Sequence, residues 1–247
     1  MLQRPAAPLS HSHRHAFRHN TPKSPDAASP NPAPRESHNM TSPTSARPLQ
    51  PWFQTLDDLP PELDWNSLFP ASQPIELDIG SGRGLFVLTA ALRHPQTNFV
   101  GLEIDYTEGR RSAERLQKRN LPNARILGGD AVRALANLIP PASVHAAHIY
   151  FPDPWWKTRH HKRRIFNQPF TELLARVVQP GGFVHHWTDV ADYFQMATAL
   201  MNSSPHFTRN SPPEQREAEH DMDYQTSFER KKRRLGFPIY RALWQRL

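Results

Sequence analysis

The sequence has no cysteine among its 247 residues. Disulfide bonds and cysteine-based zinc sites are therefore excluded, and nothing in the cysteine usage argues for secretion. The chain also has no uninterrupted apolar run near the roughly 20 residues that a membrane-spanning helix needs. These absences predict a soluble, cytoplasmic protein that does not act in a membrane.

Acidic side chains are fewer than basic ones. The chain has 23 Asp and Glu against 30 Lys and Arg, which gives a formal net charge of +7 at pH 7. An excess of positive charge favours association with a polyanion, because Lys and Arg neutralise phosphates and release their counterions. The composition therefore indicates a nucleic-acid partner without identifying it.

Residues 1–48 have few aliphatic side chains and no hydrophobic periodicity. A segment rich in Pro, Ser, Asn, Arg and His cannot bury enough apolar area to offset the loss of chain entropy on folding. We expect a disordered, basic tail. Its first residues share the acid-poor composition of a transit peptide, but prolines interrupt the amphipathic helix that such a peptide needs. Translation could start at Met1 or at Met40.

Aromatic and aliphatic side chains become frequent from residue 49 onward. Prolines interrupt the stretch 49–69, so we expect short helical turns that pack on the domain that follows. Residues 70–247 alternate short apolar runs with amphipathic segments, which predicts one α/β domain with right-handed βαβ units. The expected architecture is a doubly wound, mostly parallel, seven-stranded Rossmann-like sheet.

The pattern places the elements as follows. The predicted strands are Ile75–Ile79, Asn98–Glu103, Ala124–Leu127, His145–Phe151, Phe183–Thr188, Phe207–Arg209 and Ile239–Trp244, of which the last two form an antiparallel pair around a polar, charged insertion. The predicted helices are Leu85–Leu92, Thr107–Arg119, Ala131–Leu138, Gln168–Val178 and Val190–Met201. Pro180-Gly181-Gly182 is expected to separate the fourth helix from the fifth strand.

Three successive predicted strands end in residues suited to a nucleotide. The first leads into DIGSGRG at residues 78–84, whose glycines permit positive φ angles and the close backbone approach of a ligand. The second ends at Glu103, where a carboxylate can accept hydrogen bonds from ribose hydroxyls. The third ends at Gly128-Gly129-Asp130, where an acid can reach an adenine amine.

Two cofactor classes compete for such a site. A dinucleotide fingerprint is G-x-G-x-x-G, with the pyrophosphate at a helix N-terminus. This chain instead has G-x-G-x-G at Gly80, Gly82 and Gly84, preceded by Asp78. The carboxylate of Asp78 would repel a pyrophosphate but could pair with the ammonium of an amino-acid tail, which favours S-adenosylmethionine over NAD.

The fourth predicted strand runs into FPDPWWKTRHHKRR at residues 151–164. A proline on each side of Asp153 holds it on a stiff, extended loop. Two tryptophans and a dense group of basic and imidazole side chains follow. A positioned carboxylate can handle protons or donors, aromatic faces stack on bases, and Lys and Arg neutralise phosphates. The combination favours a functional loop over a merely solvated one.

Histidines occur in two adjacent pairs, His160-His161 and His185-His186. Neighbouring residues of a strand point to opposite faces, and no cysteine or His-x-x-His partner accompanies these pairs. We therefore predict no metal site. Trp187, beside the second pair, is predicted to belong to the core.

Residues 151–164 closely resemble the signature of bacterial tRNA guanine-N7 methyltransferases, which modify guanine 46 of the variable loop. The glycine turn, GLEID at 101–105, GDA at 129–131, TD at 188–189 and TSFE at 226–229 match that family's pattern in the same order. The resemblance covers residues 70–247. Trp156 stands where the family often has proline or histidine.

The resemblance implies a class I methyltransferase fold, S-adenosylmethionine as the methyl donor and tRNA as the substrate. It implies that Asp153 is both catalytic and a cofactor contact. The other cofactor contacts that it implies are Asp78, Glu103 and Asp130. The residues that it implies for substrate or RNA binding are Lys157, Arg159, His160, Lys162, Arg163, Arg164, Asp189, Thr226, Ser227, Phe228 and Glu229.

Two other functions remain open at this point. Asp-Pro-x-Trp partly resembles the loop of enzymes that methylate an exocyclic amine of adenine or guanine, although the basic residues 157–164 argue against that class. A non-catalytic RNA-binding protein with the same fold would share the basic residues, but it would not need acids at three strand ends. The sequence is compatible with a monomer or a homodimer.

Overall fold

Short apolar runs form the central strands, and two of them, Ile75–Ile79 and Asn98–Glu103, have the predicted bounds. The structure is a computed structural model that describes residues 49–214 and 225–247. The predicted tail, residues 1–48, lies outside the described residues. The described residues belong to one compact unit, Arg47–Leu247.

The described part contains eight strands and seven α-helices. The strands are β1 (Phe53–Thr55), β2 (Ile75–Ile79), β3 (Asn98–Glu103), β4 (Ala124–Gly128), β5 (Val144–Tyr150), β6 (Val178–Thr188), β7 (Phe207–Asn210) and β8 (Tyr240–Arg246). The helices are α1 (Trp65–Leu68), α2 (Leu85–Arg93), α3 (Tyr106–Lys118), α4 (Ala131–Asn137), α5 (Gln168–Val177), α6 (Ala191–Ser203) and α7 (Ser227–Arg234). Two 3-10 turns occur at Leu56–Asp58 and Thr158–Arg163.

All eight strands form a single sheet in the order β1-β4-β3-β2-β5-β6-β8-β7. Strands β1 to β6 are parallel to one another, whereas β8 is antiparallel to both β6 and β7. The predicted doubly wound α/β sheet is thereby confirmed. The strand order reverses between β2 and β5, and the crevice at the carboxyl ends of the strands on either side of such a switch point is where ligands bind in open α/β sheets.

The sheet has one strand more than predicted. The additional strand, β1, lies in the stretch expected to form helical turns, and it pairs in parallel with β4, with Phe53 opposite Ile126. It packs on glycines: a Cβ at Gly128 would lie 2.8 Å from Phe53, and one at Gly129 would lie 2.5 Å from Leu56. A three-residue strand flanked by prolines shows no alternation, so the pattern could not reveal it.

Strand β6 begins at Val178, five residues earlier than predicted. Pro180, Gly181 and Gly182 lie within it instead of separating it from α5. The pairing with β5 shifts register between Val144 and Ala146, and this irregularity accommodates the additional residues of β6. Proline and glycine in a strand often mark a bulge of this kind.

Alternate residues of the strands enter two hydrophobic cores on opposite faces of the sheet. On β3, Val100 and Leu102 join the core that also contains Leu174 of α5, whereas Phe99 joins the core that contains Val87 of α2. Trp187 is buried in this second core, as predicted. Within residues 49–214 and 225–247, every helix is too short or too polar to cross a bilayer.

Candidate functional site

The glycine turn between β2 and α2 has two different parts. Gly80 and Gly82 have φ angles of 80° and 52°, and a Cβ at either position would meet no atom within 4 Å. Gly84 has a φ angle of 66°, and a Cβ there would lie 1.7 Å from Ser112 Oγ on α3. The first two glycines therefore leave open space beside the backbone that a ligand can enter. Gly84 allows α2 and α3 to pack closely.

Glu103 ties this turn to the end of β3. Its Oε2 accepts a hydrogen bond from the Gly82 N–H at 2.6 Å, and its Oε1 accepts one from the Asp105 N–H at 2.8 Å. The side chain is buried. Each carboxylate oxygen still has a second lone pair, so ribose hydroxyls can also donate to Glu103.

Asp78, at the penultimate position of β2, is only 3% exposed. Burial, and secondarily the nearby carboxylate of Glu103, raise the pKa of Asp78 to about 8. A buried acid beside a second acid is stabilised in its ionised form by a neighbouring cation. The pair of acids therefore fits a ligand whose positively charged group lies at the glycine turn.

The end of β4 adds an acid and apolar surface. Asp130 is exposed and begins α4, where its Oδ1 accepts a hydrogen bond from the Val132 N–H at 2.7 Å. Ile104, Tyr106 and Val132 expose apolar side chains next to Glu103 and Asp130 in the sequence. Sequence reasoning did not identify these three residues, although the placement of Ile104 directly after the strand-end acid was a signal. Exposed apolar groups of this kind suit the faces of a purine ring.

The loop that follows β5 turns twice through unusual backbone conformations. The Phe151 N–H donates to the Trp187 carbonyl oxygen at 2.8 Å, which continues the pairing of β5 with β6. Phe151 and Trp155 have φ angles of 50° and 47°, in the left-handed region that bulky residues seldom occupy. Asp153 lies between them with its side chain exposed. Because β2 pairs with β5, this loop and the glycine turn flank the switch point.

Arg164 differs from the other basic residues of the loop because it is only 5% exposed. Its Nε donates to the Pro154 carbonyl oxygen at 2.8 Å, and its Nη2 donates to Asp192 Oδ2 at 2.9 Å. Its guanidinium lies 4.7 Å from the ring centre of Tyr193. The resemblance implies an RNA contact for Arg164, whereas the geometry gives it protein partners that hold the loop against α6.

The remaining basic residues of the loop form an exposed surface, here called the basic patch. The Arg163 guanidinium lies 4.9 Å from the ring centre of Trp155, and His160 packs edge-on against the same ring at 6.0 Å. The Arg163 side chain is exposed, so a phosphate can reach its guanidinium. The exposed cations of the basic patch are Lys157, Arg159, Lys162 and Arg163.

Helix α7 packs beside the same loop. The Phe228 ring lies 5.1 Å from the Phe151 ring, and Lys232 Nζ lies 2.7 Å from Asp189 Oδ2 at the end of β6. The structure thus brings together two of the predicted substrate-binding segments, residues 188–189 and residues 226–229. The carboxylate of Asp189 is neutralised by Lys232.

The TSFE motif, residues 226–229, builds the start of α7. Thr226 Oγ1 accepts a hydrogen bond from the Glu229 N–H at 2.9 Å, and Glu229 Oε2 accepts one from the Gln225 N–H at 2.6 Å. Glu229 is 3% exposed, and its burial raises its pKa. Thr226 and Glu229 therefore shape the helix, whereas Phe228 is exposed. Ser227 is the first residue of the helix.

A buried polar chain that sequence reasoning missed lies along the sheet below the loop. His148 Nε2 is 2.8 Å from Glu76 Oε2, and His148 Nδ1 is 2.9 Å from the Tyr150 hydroxyl. A carboxylate only accepts, so Nε2 carries a proton and donates it to Glu76. His185 stacks on His148 at 4.6 Å.

His186 lies on the opposite face of the sheet from His185, where it contacts Phe166. The two histidines therefore cannot share a metal ion. Across residues 49–214 and 225–247, no group of three or more His, Asp or Glu side chains is placed to hold one.

One cavity lies away from these residues. A cavity of about 230 Å³ opens at the amino-terminal edge of the sheet, beside Pro74, Asn98 and Ser143, which precede or begin β2, β3 and β5. It is at the opposite edge from the acids and the basic patch. The arrangement of charged groups, not cavity size, therefore identifies the candidate site.

The chain matches known proteins over most of its length. Residues 72–242 match the family described as putative methyltransferase. The tRNA (guanine-N(7)-)-methyltransferase of Rhodopirellula baltica is 39% identical over 213 residues, which are 84% of this chain and 79% of that protein. The enzyme of the same name from Sodalis glossinidius is 35% identical over 178 residues, covering 72% of this chain and 74% of that protein.

A solved structure gives the same fold at lower sequence similarity. The 16S rRNA methyltransferase KamB superposes with a TM-score of 0.52 at 19% identity, covering 74% of this chain and 92% of KamB. The sheet is thus that of the class I methyltransferases. By the extent and the identity of the sequence matches, the chain belongs to the tRNA (guanine-N(7)-)-methyltransferase family.

Proposed function

We propose that this protein transfers a methyl group from S-adenosylmethionine to N7 of a guanine in tRNA, and that the target is guanine 46 of the variable loop. The names of the relatives support the substrate and the atom. The observation that carries the proposal is the adjacency of β2 and β5, because it puts the acidic glycine turn and the loop with Asp153 and the basic patch at one switch point. The cytoplasm, where tRNA is modified, is the proposed location.

The residues at the three strand ends fit this cofactor. Asp78 would pair with the ammonium of its amino-acid tail, Glu103 would accept from the ribose hydroxyls, and Asp130 would face the adenine amine. Ile104 and Val132 would cover the faces of the adenine ring. When bound, S-adenosylmethionine supplies an electrophilic methyl group on a positively charged sulfur.

The chemistry of the target explains why one carboxylate, that of Asp153, is sufficient for methyl transfer. Guanine N7 has a lone pair in the plane of its ring, so no proton must be removed before it attacks. The protein must align N7 with the methyl group at about 3 Å, which is mainly a matter of positioning. The product base is cationic. We assign Asp153 to stabilise the positive charge that develops on the guanine.

The basic patch supplies tRNA affinity. Its four cations lie at residues 157–163, in the same loop as Asp153. Phosphates bound there therefore keep the target guanine near the carboxylate. Lys231 and Arg234 of α7 are exposed and extend this positive surface, since α7 contacts the same loop through Phe228. Neutralised phosphates contribute to affinity in a salt-dependent way.

Methyl transfer to an unmodified tRNA transcript tests the proposal. The transcript is incubated with the protein and radiolabelled S-adenosylmethionine, and the product is cleaved with chemistry specific for N7-methylguanine. We expect cleavage at position 46, and loss of label when guanine 46 is replaced by adenine. Label on an exocyclic amine would instead support the alternative methyltransferase class, and cleavage at another guanine would refute the position.

A further inference from the structure

Two neighbouring tryptophans of the loop have different environments. Trp155 is half-buried, with the Arg163 guanidinium over its ring and the His160 ring against its edge. Trp156 is 69% exposed. The backbone between the two side chains is unusual, because Trp155 has a left-handed conformation with φ of 47°. Trp156 therefore presents a large planar apolar surface to solvent.

The surroundings of Trp156 indicate what covers this surface. Lys157 follows it directly, and Arg159, Lys162 and Arg163 are exposed in the next turn. A ring followed by four exposed cations complements a polyanion, because Lys and Arg neutralise phosphates. An unpaired nucleotide has complementary chemistry, because its base offers a flat face and its phosphate a negative charge. Stacking on an aromatic side chain works for any base.

We propose that Trp156 is a stacking platform for an unpaired base of the RNA substrate, close to the nucleotide that is methylated. The proposal rests on the proposed function, because the target guanine must be near Asp153. Trp156 is three residues from Asp153, and a chain of that length spans at most about 11 Å. The stacked base is therefore a near neighbour of the target guanine. Trp156 positions the RNA, whereas the basic patch holds its phosphates.

Binding of unmodified tRNA over a series of salt concentrations tests this role with four variants. Trp156→Ala removes the ring, Trp156→Phe retains an aromatic face, and Lys162→Gln removes a patch cation. Leu92→Ala is the matched control, because Leu92 is an exposed apolar residue near the end of α2, at the opposite edge of the sheet. Melting temperatures confirm that each variant is folded.

We expect Trp156→Ala to raise the Kd for tRNA about tenfold or more, with an unchanged slope of log K against log salt, because stacking releases no counterions. Trp156→Phe should stay within about threefold of the wild type, and Leu92→Ala should match it. Lys162→Gln should flatten the slope by about one unit or less. A Trp156→Ala protein that binds as tightly as the wild type, or that changes the slope as Lys162→Gln does, would overturn the platform.

A fluorescent base makes the contact visible independently of catalysis. 2-Aminopurine is placed in turn at the positions next to guanine 46, and the loss of its emission on binding is recorded with each variant. Quenching that disappears in Trp156→Ala and persists in Leu92→Ala supports stacking. If guanine N7 is methylated but tRNA binding does not depend on Trp156, the stacking role of Trp156 is refuted and the proposed function is not. If quenching depends on Trp156 but guanine N7 is not methylated, the proposed function is refuted and the stacking role of Trp156 is not.

Discussion

Asp78 is a single residue whose burial is unfavourable for the fold and useful for the site. Its pKa is about 8 in the folded protein against 3.8 as its ordinary value. The folded state therefore holds the proton more tightly than the unfolded state between these two values. The contribution of Asp78 to the free energy of unfolding falls as pH rises from about 4 to about 8, because Asp78 ionises at lower pH in the unfolded chain than in the folded protein.

Asp78→Asn removes this ionisation. We expect the ligand-free variant to melt higher than the wild type at pH 8, by about 2–4 °C for each 1 kcal/mol relieved, and to show a smaller difference at pH 5.5. We also expect S-adenosylmethionine binding to weaken by about 1–3 kcal/mol, since a charge-assisted contact is lost. Thermal melts at both pH values and calorimetry measure the two effects. Glu62→Gln is the control, because Glu62 is an exposed acid outside the site. A lower melting temperature at pH 8 would contradict this account.

Asp153 is exposed, so its substitution tests chemistry without disturbing the core. We expect Asp153→Asn to lower the single-turnover rate of methyl transfer by about 100-fold or more, because an amide does not stabilise the cationic product base. The Kd for tRNA should hardly change, since a negative charge makes no phosphate contact. Rapid-quench assays at saturating tRNA and filter binding separate the two quantities. A variant that retained its rate would remove Asp153 from the catalytic role.

Sequence reasoning identified which residue types occur at the site, but it did not distinguish the roles of residues of the same type. Arg163 and Arg164 are adjacent and identical in side chain, yet the 3-10 turn exposes the first and buries the second. Gly80 and Gly84 share a positive φ, but only the space around them distinguishes an open turn from close helix packing. Such differences depend on tertiary neighbours, which no local pattern contains.

At the scale of an element, the loop of residues 151–164 is held at both ends. The backbone pairing of Phe151 fixes its start, and the hydrogen bonds of Arg164 fix its end against Pro154 and α6. The loop is thereby closed on itself, since Arg164 reaches back ten residues to a carbonyl next to Asp153. We propose that Arg164 positions Asp153 and does not contact RNA.

Arg164→Lys tests this positioning, because lysine keeps the charge but cannot donate to both partners from one planar group. We expect a loss of about 1–3 kcal/mol in stability, a lower kcat, and an unchanged salt dependence of tRNA binding. Arg163→Lys, one residue earlier, should leave the melting temperature unchanged. Melts, steady-state kinetics and a salt series measure these effects. If Arg164→Lys weakened tRNA binding and flattened the salt slope, while stability stayed the same, a phosphate contact would be the better assignment.

Elements with a strong local signal were predicted well. Strand β2 alternates apolar and acidic residues between Pro74 and Gly80, and β3 has an apolar centre between Asn98 and Glu103; the bounds of both strands were confirmed. The start of β6 was wrong, because Pro180 and the two glycines look like a break and the strand tolerates them only through its irregular pairing with β5. Helix α7 has little apolar periodicity; its basic sequence resembles a polar insertion, and it is stabilised by its cap and its contacts with Phe151 and Asp189.

At the scale of the whole molecule, we predict that the residues before the sheet contribute little to its stability. Residues 1–40 are poor in the aliphatic side chains that a core requires. Deletion of these residues should leave the melting temperature and the affinity for S-adenosylmethionine unchanged, and should weaken tRNA binding slightly through the loss of positive charge. Thermal melts, calorimetry and filter binding of both forms provide the comparison. A clear fall in melting temperature would show that the segment stabilises the fold.

The position of β8 between β6 and β7 has a consequence for synthesis of the protein on the ribosome. Strand β8 is made after both of its neighbours, and it pairs with each of them along most of its length. Until residues 240–246 have left the exit tunnel, β6 presents an unpaired edge to other nascent chains, and such edges are prone to aggregation. The end of β6 also lacks its pairing partner during this time. The side of the site proposed to bind tRNA is therefore complete only after residues 240–246 have been synthesised.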